Sequence, residues 1–192
     1  MLPSGLALAG WLTWIGERRS AAFWLALLAL ATALTTASKI AFIGWGIGSA
    51  SLNFTGFSGH AMFSAAVLPL LLHCVPMVGS RRARQLDVAL GYAVAGLVAA
   101  SRVVLGEHSI SEALAGFALG SAASAAALSL PVPRQLPRGL AAALVAAYLL
   151  NSTAAPTLPT HGLVTRLALW MSGHERPYTR TMMLTRASTL TQ

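Results

Sequence analysis

This sequence predicts an all-α, polytopic bundle of transmembrane helices, and three observations carry that prediction. Of 192 residues, 56 % are hydrophobic and only 9 % charged, whereas a soluble domain carries about a quarter charged residues. Several uncharged apolar runs approach or exceed the roughly 18 residues needed to cross a bilayer core. Their length and their richness in Leu and Ala favour helices over the short alternating strands of an outer-membrane barrel. The expected organisation is one membrane domain over residues 1–155 with five to six membrane helices, followed by a tail over 156–192.

Leu2 to Ile15 is apolar but too short to cross comfortably, so it reads as an interfacial or re-entrant helix. It lacks the basic leading region of a cleavable signal. Five longer runs follow: Ala21 to Ser38, Gly59 to Gly79, Val88 to Ser101, Ser109 to Leu130 and Gly139 to Ala155. The third spans only with help from its flanks. In the tail, Leu163 to Met171 is amphipathic. The lone cysteine, Cys74, excludes an intrachain disulfide and reads as a small buried apolar residue.

Short loops rich in Arg or Lys stay cytoplasmic. Arg18 and Arg19, then Arg81, Arg82 and Arg84, then Arg134 and Arg138 fall in alternate connections, which places all three inside. The net charge of +8 is thus topology information, since no basic domain exists to hold nucleic acid. The connections Lys39 to Gly59 and Arg102 to His108 are then forced to the outer face together. The tail, with Arg166, Arg176, Arg180 and Arg186, also counts as outside. For so basic a segment this requires either that Leu163 to Met171 returns partway into the membrane or that the fifth run does not span.

The two outer connections carry the chemistry. His108 and Glu112 are spaced i, i+4 and share a helix face. A carboxylate there can take the proton of one imidazole nitrogen and leave the other free to attack phosphorus. Arg102 offers a planar fork of donors for phosphate oxygens. Ser58 and Gly59 stand at the mouth of the second long run, where helix-terminal amides favour an anion. His60, when protonated, can donate to a leaving oxygen. Lys39, the single lysine, adds a positive charge at the end of the first long run.

These residues resemble the type 2 phosphatidic acid phosphatase superfamily, the lipid phosphate phosphatases related to vanadium haloperoxidases. Its third motif is Ser-Arg, five residues, His, three residues, Asp; Ser101, Arg102 and His108 match it, with Glu112 at the aspartate position and Leu114-Ala115-Gly116 resembling the continuation. The second, Pro-Ser-Gly-His, is matched by Ser58, Gly59 and His60, with Phe57 in place of proline. The first, a lysine followed after six residues by Arg-Pro, keeps only Lys39; Gly46 and Ile47 occupy the other two positions. The similarity covers roughly Ser38 to Gly120.

The resemblance implies that His108 is the nucleophile forming a phosphohistidine, that Glu112 orients it, and that His60 is the general acid. Lys39, Ser58, Gly59, Ser101 and Arg102 would form the phosphate cradle. It implies a lipid phosphate or diphosphate as substrate, in a cell inner membrane with membrane lipids around it, and no metal or other cofactor. One cradle arginine is missing or comes from elsewhere. Arg176-Pro177 could substitute only by folding back over the site, which is not expected.

Structural roles compete with these. Ser109-Ile110-Ser111-Glu112 fits a capping box, in which the glutamate ties back the helix start. Lys39 fits a lysine reaching along a helix end to the interface. Glu107 reads as a solvated loop charge, His73 as a polar packing residue, and Ser172-Gly173-His174 as a chance repeat. Trp45, Phe54 and Phe57 read as interfacial anchors, and Gly120, Ser121 and Ser124 as close helix packing. The rival functions are a lipid phosphotransferase and a non-catalytic lipid-binding or assembly protein on the same fold. Oligomeric state is not legible.

Overall fold

A computed structural model describes residues 2–75, 81–131, 135–153 and 160–189. Among them are eight helices: α1 (Leu2–Trp14), α2 (Arg18–Trp45), α3 (Gly59–His73), α4 (Arg81–Val104), α5 (Ile110–Leu128), α6 (Arg138–Thr153), α7 (Thr160–Ser172) and α8 (Arg180–Thr189). The bundle is all-α as expected, with α2 to α6 answering to the five long runs. Three stretches are long and apolar enough to cross a membrane, Arg18–Trp45, Gln85–Val104 and Ile110–Leu128; Gly59–His73 and Arg138–Leu150 are shorter apolar helices. The expected domain boundary at residue 155 lies outside the described residues.

Two helices differ in extent from the apolar runs that announce them. The third run grows into the 24-residue α4 because Arg81 to Arg84 form its first turn instead of a loop; Arg, Ala, Gln and Leu are all good helix formers. The first run extends to Trp45, so Lys39 stands inside α2 and not at its end.

The central helix is α3. From Ala61 to Leu71 all but Phe63 are buried, as expected of a helix apolar on every side. It packs most extensively on α4 and α5, with α1, α2 and α6 around it. Close approach requires small residues. A Cβ on Gly120 would collide with the Met62 carbonyl, one on Gly116 with the Ser58 carbonyl, and one on Gly91 with the backbone of Pro69. The Gly116-Phe117-Ala118-Leu119-Gly120 stretch thus forms a contact face: glycines four apart on α5 let the α3 backbone in.

Pro69 sits inside α3 and has no N–H, so the Ala65 carbonyl loses its intrahelical partner. Ser124 Oγ of α5 donates to that carbonyl at 2.7 Å. Tyr92 Oη, 2.9 Å from Ser124 Oγ, donates in turn, which links α4 to the same point. A second relay joins α6: Ser64 Oγ donates to the His60 carbonyl at 2.7 Å and lies 2.7 Å from the buried Tyr148 hydroxyl.

Helix α1 enters the bundle instead of lying on it. Leu8 and Leu12 are fully buried, and Gly5 abuts Trp24, Leu28 and Val67. The tail also folds against the bundle. Helix α7 packs on α2, with Ala168 buried against Phe42 and Ile43 in a small second core. It therefore lies at the end of the bundle that carries both motifs.

Candidate active site

The last turn of α2 explains how the tail is held. A helix ends with carbonyls that have no intrahelical partner. Gly46, with φ +68°, closes the end by donating to the Phe42 carbonyl at 2.8 Å, and Ile47 donates to Ala41 at 3.2 Å. The next two carbonyls are taken by the tail: the Tyr178 amide donates to Ile43 at 2.9 Å, and His174 Nδ1 donates to Gly44 at 2.7 Å. The Tyr178 ring lies where a side chain at position 46 would go, 2.8 Å from an ideal Cβ. His174, expected to be incidental, is a structural tie. The tail does fold back over the site, contrary to expectation.

The motif loops converge from the other side. Ser58 is the N-cap of α3; its side chain accepts from the Ala61 amide, and its own amide donates to the Glu112 carbonyl at 3.1 Å. The remaining open amides of that first turn are those of Gly59 and His60. The preceding loop is pinned to α2, where the Phe57 amide donates to Ser38 Oγ at 3.1 Å, and to α5, where Ser111 Oγ donates to the Leu52 carbonyl at 2.7 Å. Between α4 and α5 the chain turns sharply through Gly106 (φ +71°), and the Glu107 and His108 amides both donate to the Arg102 carbonyl. That turn brings Arg102 and His108 side by side.

Glu112, fully buried, is the hub. Its Oε2 lies 2.8 Å from His108 Nδ1 and accepts from the Ser109 amide at 3.1 Å. Its Oε1 accepts from the Thr55 amide at 2.8 Å and from the Thr55 hydroxyl. Arg180 Nη2 reaches both oxygens, at 2.8 and 2.9 Å. Capping box and histidine partner are thus one carboxylate: Ser109 Oγ accepts from the Glu112 amide while Glu112 accepts from Ser109. With Nδ1 donating to Glu112, His108 keeps Nε2 as the nitrogen with a lone pair.

A cavity of about 450 Å³ opens beside this hub, lined among others by Lys39, Thr55, Glu107, His108, Tyr178 and Arg180. Lys39 therefore faces the site, not the interface. Arg102 is buried; its Nη1 donates to Glu107 at 3.0 Å and its Nε to Ser101 Oγ at 3.3 Å. Glu107 is half exposed but ion-paired at the cavity wall, more than a solvated loop charge. His60 lies within electrostatic reach of Arg102, Glu107, His108 and Lys39. Ser101, whose Oγ donates to the Val98 carbonyl at 2.7 Å, backs Arg102; neither of them, nor Ser58, Gly59 or His60, lines this cavity, and Gly59 lines a second one together with Lys39. His73 is at the far end of α3.

Two residues of the site escaped the sequence reading. Thr55 is three positions before Ser58 and carries no motif of its own. Arg180 lies in the tail, where the Arg176-Pro177 pair drew attention one turn too early.

A family model, the PAP2 superfamily, matches residues 45–135, which include both histidine motifs. The chain is also similar to an uncharacterized 22.5 kDa protein in the cps region of Klebsiella pneumoniae, at 37 % identity over 164 residues, covering 82 % of this chain and 78 % of the other. The chain belongs to the PAP2 superfamily. Membership supports a phosphatase-type function, and with the apolar helices it marks a membrane protein. The PAP2 match leaves out Lys39 and the whole tail, although both line the cavity. No solved structure matches the chain significantly.

Proposed function

We propose that this protein is an integral membrane lipid phosphatase that removes a terminal phosphate from a lipid phosphate or diphosphate through a phosphohistidine. The observation that carries the reading is the 2.8 Å contact of His108 Nδ1 with the buried Glu112, at the edge of a cavity that Lys39 and Arg180 make cationic. Glu112 fixes the tautomer and stabilises the charge that His108 acquires on attack.

In the proposed reaction, His108 Nε2 forms a bond to phosphorus as the bond from phosphorus to the leaving oxygen breaks. His60 gives that oxygen a proton. Water then attacks the phosphohistidine, passing a proton back to His60, and the P–N bond breaks to release phosphate. Lys39, Arg102 and the open Gly59 and His60 amides neutralise the charge on the phosphoryl oxygens. Ser58 supports the cradle by capping α3, and Ser101 by bracing Arg102. Undecaprenyl diphosphate, phosphatidylglycerophosphate and phosphatidate are the substrates to test. In this reading the site lies on the non-cytoplasmic face of a cell inner membrane, which is supported by the arginine-rich connections that alternate with those carrying the motifs.

The test is phosphate release by detergent-purified protein from that panel, comparing wild type with His108→Ala. Release abolished by the substitution supports the reading, and the preferred lipid names the substrate class. No release from any lipid moves the protein to the non-catalytic, lipid-binding alternative. Release that persists undiminished in His108→Ala rejects the nucleophile.

A further inference from the structure

We propose that Arg180 is a phosphate-binding residue of this site, supplied by the C-terminal tail. The proposal rests on the reading of the cavity as a phosphate site and adds to it a ligand contact from outside the family-matched segment. Arg180 spends one nitrogen on its anchor: Nη2 makes both contacts to Glu112 and a third, at 3.4 Å, to Thr55 Oγ1. Its Nε and Nη1 make no hydrogen bond among the described residues, and the side chain is 33 % exposed at the cavity wall. A guanidinium presents its donors in a rigid fork. With Nη2 seated on the carboxylate, Nε and Nη1 remain to donate elsewhere.

Those donors share the cavity with Lys39 and His108. Glu112 alone does not account for the arginine, because the carboxylate already accepts from the Thr55 amide, the Thr55 hydroxyl, the Ser109 amide and His108. The position is also set firmly. Arg180 follows Tyr178, whose amide is bonded to Ile43, and His174, whose ring is bonded to Gly44. Two bonds to the end of α2 thus hold the arginine over the same helix that carries Lys39. A tetrahedral dianion in the cavity would have Lys39, His108 and the Arg180 donors among its neighbours.

The experiment measures binding apart from turnover. Calorimetry with orthovanadate as the phosphate mimic is run on full-length, detergent-purified wild type, Arg180→Ala, Arg180→Lys and, as a tail charge control, Arg176→Ala. The expected result is affinity weakened 10- to 100-fold in Arg180→Ala, an intermediate loss in Arg180→Lys, and no change in Arg176→Ala. Equal affinity in wild type and Arg180→Ala overturns the proposal, as does an equal loss in Arg176→Ala, which would report only tail charge. Absence of orthovanadate binding by wild type overturns it as well. Should Arg180→Ala not fold, Arg180→Lys decides, since its single ammonium cannot hold Glu112 and an anion in the same geometry; wild-type affinity there overturns the proposal. The two readings fail separately. Orthovanadate binding that depends on Arg180 without lipid turnover keeps this proposal and removes the phosphatase; turnover with Arg180-independent binding does the reverse.

Discussion

His108 and Glu112 are one helical turn apart in sequence, yet the 2.8 Å contact between them closes a site drawn from both ends of the chain. The same buried carboxylate also holds Thr55, Ser109 and Arg180, so replacing it acts on stability and chemistry together. Glu112→Gln puts an amide NH2 against at least one of these donors. A loss of about 2–3 kcal/mol in stability is expected, with phosphate release reduced at least about 100-fold. Glu112→Asp keeps the charge but shortens the reach, and should retain more activity than Gln. Thermal unfolding and initial rates on the same preparations check both; a glutamine variant as active as wild type would remove Glu112 from the mechanism.

Helix α5 meets α3 through glycine, and that contact leaves no room for a methyl group. Gly120→Ala forces a Cβ onto the Met62 carbonyl and should destabilise the bundle by about 1–3 kcal/mol or more. Gly96, where nothing lies within 4 Å, is the matched comparison. Gly96→Ala should be neutral or stabilise by up to about 1 kcal/mol through helix propensity. Detergent thermal melts of the pair measure the difference.

Ser124 answers the carbonyl that Pro69 leaves open, which makes the two residues energetically dependent. Ser124→Ala should cost about 1–3 kcal/mol by orphaning the Ala65 carbonyl. In a Pro69→Ala background the restored N–H can bond Ala65 within α3, so the same serine substitution should cost less. A double-mutant cycle reads the coupling, expected at about 1 kcal/mol. Strict additivity would mean that the serine serves Tyr92 alone.

The tail is tied down by few bonds, and its opening should be measurable. His174→Ala removes the bond to Gly44 and should speed tryptic cleavage after Arg180 and Arg186, because local opening governs such cleavage. Cleavage at wild-type rates would show that α7 packing holds the tail without the ring.

Topology is open to a direct check. A cysteine at Asn53, otherwise in a Cys74→Ala background, should react with an impermeant thiol reagent added to intact cells, while one at Arg82 should not. Labelling of Arg82→Cys alone would invert the bundle.

The sequence carried much of this architecture because lipid-facing helices announce themselves by length and hydropathy, and α2 to α6 follow the five apolar runs. The His108–Glu112 pair was legible because its spacing is a helical turn. Residues meeting across the fold were not legible. Thr55 reaches Glu112 only because Ser38 and Ser111 pin its loop. Arg180 reaches it only because the end of α2 has carbonyls to spare. Neither fact has a periodicity, and the extent of α2 past Lys39 was hidden by polar residues that a helix accommodates.

Gly46 has a bearing on ancestry. A side chain there would strike the Tyr178 ring, so an arginine at position 46 and a docked tail exclude each other. Glycine at this place is what leaves room for the tail to dock on the end of α2. Relatives should sort into two groups, those with a cation after the second helix and a tail that lies elsewhere, and those with glycine there and a tail arginine. A relative with both a side chain at this place and a tail docked as here would show that the two do not exclude each other.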